Sequence, residues 1–339
     1  AVWRYPALAL RCLERRRGRA ASLALAHAAT TVHRRGPHDV VHCQFGQFGL
    51  KAMTLRELGV LPGRILVAFR GADLTVDPDV EGYRMLFQVA DRVLPVCDAF
   101  RHRLVEMGCD PGKIRVHRSG IDLSRFEFVE RSRSPGEGYR LLTIARLVEK
   151  KGVAYGIRAV ALLKQAGQDV TLTIVGDGPL REELERLSVE LDVRDRIRFT
   201  GALAHGAGLK VVLDAHVLVA PSHTGEDGDQ EGIPNVLKEA MATGLPVVST
   251  FHSGIPELVE DGVSGFLVPE RDSEALANRL LHLLNNRERW AAMGRAGRNR
   301  VEAEYDIRAL NRQLIELYRD VLSGEDFPRR GPSSTEVAP

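Results

Sequence analysis

Disulfide chemistry has little to work with in this chain. Its 339 residues include four cysteines, Cys12, Cys43, Cys97 and Cys109, with no Cys-x-x-Cys pair and no metal-ligand spacing. A disulfide framework and a structural zinc site are therefore excluded. The thiols are expected to be reduced and buried, as in a cytoplasmic protein. Long apolar runs are missing as well: none reaches the ~18 residues of a membrane span, and no stretch has the layout of a signal peptide. Neither charge sign dominates. The 47 Lys and Arg are met by 45 Asp and Glu, leaving a net charge of +2, and so small a global field gives no reason to expect nucleic acid as a partner.

What is present is long enough for two domains, each with its own core. The first twenty positions are locally basic, with Arg4, Arg11, Arg15, Arg16, Arg17 and Arg19 interleaved with Val2, Trp3, Tyr5, Leu8, Leu10 and Leu13. This pattern fits a helix packed on its own domain with a solvated Arg face. It also fits a basic amphipathic helix in peripheral contact with the inner face of an anionic membrane.

Short apolar runs alternating with helical periodicity mark βαβ units and a parallel sheet. Strands are expected at Asp39 to Cys43, Ile65 to Phe69, Arg92 to Val96 and Ile114 to His117. A polar interruption, Glu127 to Gly138, reads as the domain linker. Six more strands follow, at Arg140 to Ile144, Thr171 to Val175, Ile197 to Thr200, Val217 to Ala220, Pro246 to Ser249 and Gly265 to Val268. With helices at Val153 to Gln165, Leu180 to Leu191 and Asn235 to Thr243, these make a complete doubly wound domain. A long helical pattern runs from Ser273 to Leu322, and the tail from Ser323 reads as disordered. The domains expected are thus 1–130, 131–322 and a tail over 323–339. The first is short, because residues 1–34 read as helices before any strand, so one or more N-terminal strands are expected to be absent or formed unconventionally.

The strongest chemical signal is Glu231-Gly232-Ile233-Pro234-Asn235-Val236-Leu237-Lys238-Glu239. Two carboxylates stand eight positions apart around a Gly-Ile-Pro turn and a helix start. A helix beginning at Pro234 would present its first N–H groups and positive dipole end to an anion such as phosphate. Carboxylates on either side accept hydrogen bonds from neighbouring hydroxyls. Such a cradle suits a sugar nucleotide.

The wider segment DGDQEGIPNVLKEAMATGLPVVSTFHSGIPELVEDGVSGFLVPER at 227–271 resembles the nucleotide-sugar site of family 4 retaining glycosyltransferases of the GT-B fold. Within that family the chain is most similar to the colanic-acid and exopolysaccharide α-glycosyltransferases. Further matches follow in the family's order: DVVHCQFGQFG at 39–49, FRGADLT at 69–75, GIDLSRF at 120–126, IARLVEKKG at 144–152 and VGDGP at 175–179. The resemblance implies an α/β fold of two facing Rossmann-like domains with a deep cleft between them, the donor on the C-terminal domain and the acceptor on the N-terminal one. It also implies a C-terminal helix, Ala303 to Leu322, crossing back onto the first domain.

The resemblance implies roles for named residues. Arg146 and Lys151 neutralise the donor diphosphate, Glu231 meets the donor sugar's hydroxyls and Glu239 the ribose. Gly232, Ile233, Pro234 and Asn235 lie against sugar and phosphates. Gly176 is expected in a tight turn near the nucleotide, and the turn from Gly254 to Glu257, after His252, behind the donor site. On the acceptor side His42 and Gly46 line the cleft together with Arg70 and Asp73. Arg70 departs from the family, in which many members carry a His there. An Arg can stabilise negative charge but cannot serve as a general base, and an Arg70–Asp73 structural pair is the alternative.

Glu226, Asp227 and Asp229 form an acidic run of a kind that can attract Mg²⁺. The resemblance instead implies a site without metal or other cofactor, with Arg146 and Lys151 in the metal's place. The expected activity is retaining transfer of a sugar from a UDP- or GDP-sugar to a saccharide or lipid-linked saccharide acceptor in exopolysaccharide or cell-envelope glycan synthesis. A donor-binding chain without turnover and a nucleotide-sugar epimerase of the same fold are the competing readings.

Overall fold

The computed structural model describes residues 38–132 and 136–324. The expected basic helix, the expected gap in the first strands and nearly all of the expected tail fall outside the described residues.

Two parallel sheets organise the chain. The first holds β1 (Val40–Cys43), β2 (Arg64–Phe69) and β3 (Arg92–Pro95) in the order β1-β2-β3. Around it lie α1 (Gly46–Glu57), α2 (Ala72–Thr75), α3 (Val80–Val89) and α4 (Asp98–Glu106). Side chains alternate between sheet faces along a strand. Accordingly Ile65, Val67 and Phe69 enter one core with Leu86 and Phe100, while Leu66, Ala68 and Leu94 enter another. Each of these side chains is buried, and full burial of an aliphatic or aromatic side chain stabilises by about 1.5–3 kcal/mol.

The strand expected at Ile114 to His117 is reduced to a single bridge between Val93 and Ile114. Its backbone does follow β3, since Arg115 N–H donates to Val93 O and His117 N–H to Pro95 O. The 3₁₀ turn Pro111–Lys113 ends immediately before it. The Arg115 guanidinium also folds back onto the carbonyls of Gly112 and Ile114.

The second sheet is six-stranded and parallel: β4 (Tyr139–Ile144), β5 (Val170–Val175), β6 (Ile197–Gly201), β7 (Val217–Ala220), β8 (Val247–Thr250) and β9 (Phe266–Val268). Its order is β6-β5-β4-β7-β8-β9, the doubly wound arrangement. In such a sheet the order reverses between β4 and β7, and ligands bind at the carboxyl ends of those strands. The flanking helices are α5 (Val153–Gln165), α6 (Arg181–Glu190), α7 (His205–Asp214), α8 (Asn235–Ala242) and α9 (Ile255–Leu258). Leu141, Val217 and Val219 face the core under α5, and Leu142, Leu218 and Val247 face the core under α8.

The helical pattern expected as one stretch from Ser273 to Leu322 is three helices, α10 (Ser273–Asn285), α11 (Arg289–Glu304) and α12 (Ile307–Ser323). The second break has a clear cause. Fully buried Tyr305 leaves helical geometry at φ −127°, and the Asp306 side chain caps α12 by accepting from Arg308 N–H. The helix expected from Ala303 therefore begins at Ile307.

Across this break the chain pairs with its earlier crossing, because Ile121 N–H donates to Tyr305 O and Ile307 N–H to Ile121 O. From there α12 lies on the second face of the first sheet, where Leu314, Leu317, Tyr318 and Val321 pack on Leu66, Ala68 and Leu94. The expected return of the last helix to the first domain is thus observed. Between the crossings, Phe126 packs in the core under α8, and Arg131 donates to Val212 O and Thr243 Oγ1.

Candidate active site

The carboxyl end of β4 leads through Arg146 into a 3₁₀ turn, Glu149–Lys151, and then into α5. Gly152 joins turn to helix at φ +63°, a left-handed conformation that favours glycine. A Cβ there would also lie 1.9 Å from Pro221 O on the strand-end loop of β7. The two loops that meet at the switch point are therefore locked together by backbone contact. The VGDGP loop after β5 supports them from the other side. Leu147 N–H donates to Asp177 O, and a Cβ on Gly176 (φ +134°) would lie 1.8 Å from Ala145 O.

This framework aims two lysines at one carboxylate. Lys151 Nζ is 3.0 Å and Lys150 Nζ 3.2 Å from Glu231 Oε1. Lys150 is held in turn by both oxygens of Asp229 at 2.9 Å. Burial alone would raise the Glu231 carboxyl, but the charges and hydrogen bonds of Lys151 and Lys150 outweigh it and hold the group below the usual range. Glu231 is thus kept ionised as a hydrogen-bond acceptor.

The backbone of Glu231 is fixed separately. Its N–H donates to His252 Nε2 at 3.0 Å, which places the imidazole proton on Nδ1, facing Glu270 Oε1 at 2.6 Å. Glu270 also accepts from Thr224 N–H. Burial would raise its carboxyl, yet these hydrogen bonds and the two nearby histidines, His252 and His223, hold it low. Gly232 then passes against the first domain: a Cβ there would lie 2.7 Å from Val96 Cγ2.

The helix begins at Asn235, the start expected for Asn235 to Thr243, with Pro234 as its N-cap at ψ 131° rather than its first residue. A cavity of about 330 Å³ lies in front of it. Lys151 and the run from Glu231 to Val236 form its C-terminal wall, and Arg70, Val96 and Ser119 its N-terminal wall. Seven of the residues expected in the site line it: Lys151, Glu231, Gly232, Ile233, Pro234, Asn235 and Arg70.

The other expected residues stand elsewhere. Arg146 is exposed on the loop after β4 and Glu239 is half-buried on α8. Gly176 packs on Ala145 as described. His42 Nδ1 lies 2.8 Å from the hydroxyl of Tyr318 on α12. Burial, then the charges of His117 and Arg70, lower His42 to about 4. Gly46 is closely packed, since a Cβ would meet the Phe69 ring at 2.4 Å and the Tyr83 hydroxyl at 2.7 Å. The alternative pairing of Arg70 with Asp73 does not form between side chains. The Asp73 carboxylate accepts from three backbone N–H groups, those of Gly46, Arg70 and Gly71, while the Arg70 guanidinium turns to Gln44 Oε1.

Four contributors had no role assigned from sequence: Lys150, Glu270, Ser119 and Lys238. Lys150 had a signal, its place beside Lys151 in EKKG. Lys238 is fully buried and donates to Ser119 O at 2.6 Å, tying α8 to the segment between the domains. The acidic run is engaged internally: Asp229 pairs with Lys150, Asp227 accepts from Asp229 N–H and Glu226 N–H donates to Glu149.

Comparison with known proteins identifies this architecture. Anabaena Alr3699/HepE, solved in complex with UDP, superposes with a TM-score of 0.75 at 20% identity over 87% of this chain and 82% of that one. The two facing Rossmann-like domains define the GT-B fold.

Residues 124–300 match the family of Glycosyl transferases group 1, and the chain belongs to it. It is 41% identical over 289 residues to WcaL of Salmonella typhimurium, assigned to colanic acid biosynthesis as a glycosyltransferase, covering 84% of this chain and 71% of the relative. It is 39% identical over 283 residues to the amylovoran biosynthesis glycosyltransferase AmsK of Erwinia amylovora, covering 82% and 69%. Among the described residues no helix is long and apolar enough to cross a membrane.

Proposed function

We propose that the chain transfers a glycosyl group from a UDP- or GDP-sugar to a saccharide or lipid-linked saccharide, retaining the α configuration, in exopolysaccharide or cell-envelope glycan synthesis. The observation that carries this reading is the Lys151–Glu231 pair at the switch point between β4 and β7, on the wall of a cavity closed by the other domain. The similarity to WcaL and AmsK supports the biosynthetic setting.

In this reading the donor diphosphate meets Lys151 on the cavity wall, with Arg146 reaching it from the neighbouring loop and the α8 N–H groups from below. These charges stabilise the negative charge that develops on the departing diphosphate. Glu231 and Glu239 accept from hydroxyls of the donor sugar and ribose. The acceptor hydroxyl approaches from the N-terminal wall. Its oxygen bonds to the anomeric carbon on the face from which the diphosphate oxygen leaves, and its proton passes to that oxygen. Glu231 is engaged by two lysines, which suits holding substrate better than nucleophilic attack. No metal or other cofactor takes part.

Thermal unfolding in the presence of UDP, GDP, ADP and CMP tests donor binding, because a ligand of the native state raises stability with its concentration over affinity. Product analysis then tests turnover. Transfer gives free nucleotide and a glycosylated acceptor with the α configuration. Bound nucleotide without product, or an altered sugar without acceptor, contradicts the reading.

A further inference from the structure

Arg70 stands on the N-terminal wall of the cavity with its charge unmatched. Lys151, across from it, is met by Glu231. Among the described residues Arg70 forms no ion pair, and its side-chain partner is the neutral amide of Gln44. The nearest carboxylate in sequence, Asp73, is occupied by the backbone N–H groups of Gly46, Arg70 and Gly71. The other groups that feel Arg70 offer no counter-charge: His42 and His117 are both kept neutral, first by burial, and Lys238 is itself a cation. Its Nε is buried without a hydrogen-bond partner. A guanidinium partly removed from water is satisfied by an anion that accepts its planar fork.

We infer that Arg70 is the recognition point for an anionic substituent, a carboxylate or a phosphate, on the saccharide that enters the cavity against its N-terminal wall. The inference rests on the glycosyltransferase reading above and names a property of its substrate. The backbone of Arg70 is already fixed through Asp73 and Gly71, so the guanidinium is presented from a rigid turn. Gln44 orients it without neutralising it.

The test uses the whole chain with the nucleotide that stabilises it in the thermal screen. In one arm that complex is titrated calorimetrically with methyl glucoside, methyl glucuronide and glucose 6-phosphate. In the other, the free protein is titrated with the nucleotide's hexose conjugate and its hexuronate conjugate. Binding at least tenfold tighter for a charged ligand than for its neutral counterpart is expected in one arm. The arm, and whether carboxylate or phosphate is preferred, tells which source carries the anion.

Arg70→Gln should abolish that preference, and Arg70→Lys should keep part of it. Equal binding of neutral and charged ligands in both arms, or a preference that survives in Arg70→Gln, overturns the inference and leaves the glycosyltransferase reading standing. Failure of every nucleotide to bind overturns both.

Discussion

His252 holds Glu231 by the backbone rather than by the carboxylate: the Glu231 N–H donates to His252 Nε2 at 3.0 Å, and the opposite ring nitrogen donates to Glu270. The imidazole thus sets where the loop turns into the cavity and leaves the Glu231 side chain to the two lysines. His252 is buried at 1% exposure, so its loss leaves the half-buried Glu231 N–H without its acceptor. His252→Ala should lower stability by about 1–3 kcal/mol and reduce transfer by at least tenfold. Denaturant unfolding and steady-state kinetics measure the two. His252→Asn, which keeps an acceptor, should recover part of both.

Glu231 links this site to pH. Its carboxyl lies below the ordinary glutamate value in the folded chain, so it contributes stability that is complete above the unfolded value of about 4.3. That contribution is lost as pH falls through the lowered folded value. Unfolding free energies of the wild type and Glu231→Gln should therefore converge on acidification. A difference unchanged from pH 7 to the acid limb would show that the lysines do not stabilise the carboxylate.

Lys238 acts with the same sign in an alkaline window, although here the shift comes from burial that disfavours the charge. Burial lowers its ammonium from 10.5 to about 8, with only partial compensation from Glu239. Between those values the unfolded chain binds a proton that the folded chain does not, so this group makes stability rise with pH from about 8 towards 10.5. Lys238→Met should flatten that rise in a pH series of urea unfolding. The variant also loses the bond to Ser119 O, and we expect weaker coupling between the domains as slower transfer with little change in nucleotide affinity.

Gly152 carries the geometry of Lys151. Any side chain there meets both the strain of φ +63° and the Pro221 carbonyl at 1.9 Å. Gly152→Ala should cost on the order of 2 kcal/mol and displace Lys151 from Glu231. Loss of transfer should exceed what the drop in melting temperature explains.

Much of this arrangement was legible in the sequence, for physical reasons that differ by region. The strands β7, β8 and β9 of the second sheet are buried on both faces, so their apolar runs are dense, and Val217–Ala220 falls where expected. The helix Val153–Gln165 also matches residue for residue, bounded by Gly152 and the turn at Gly167. Ile114 to His117 looked the same locally, but only one bridge forms, because strand pairing depends on a neighbour that periodicity cannot reveal. The break at Tyr305 was hidden because Tyr305 continues the apolar period and is buried.

In the site, the EGIPN turn and Lys151 were readable because backbone approach and charge depend on local order. The Lys150–Asp229 and His252–Glu270 pairs were not. Each joins residues separated by 79 and 18 positions respectively, and only the fold brings them together. Arg70 and Asp73 show the reverse case: neighbours in sequence with opposite charge, whose side chains are directed to different partners.

The central claim is that Lys151 serves the donor diphosphate in glycosyl transfer, and the most direct test is single-turnover transfer by Lys151→Ala with the nucleotide sugar identified by the thermal screen. The account predicts a rate at least a hundredfold below wild type, in a protein whose circular dichroism is unchanged. Transfer by Lys151→Ala at a near wild-type rate would contradict it.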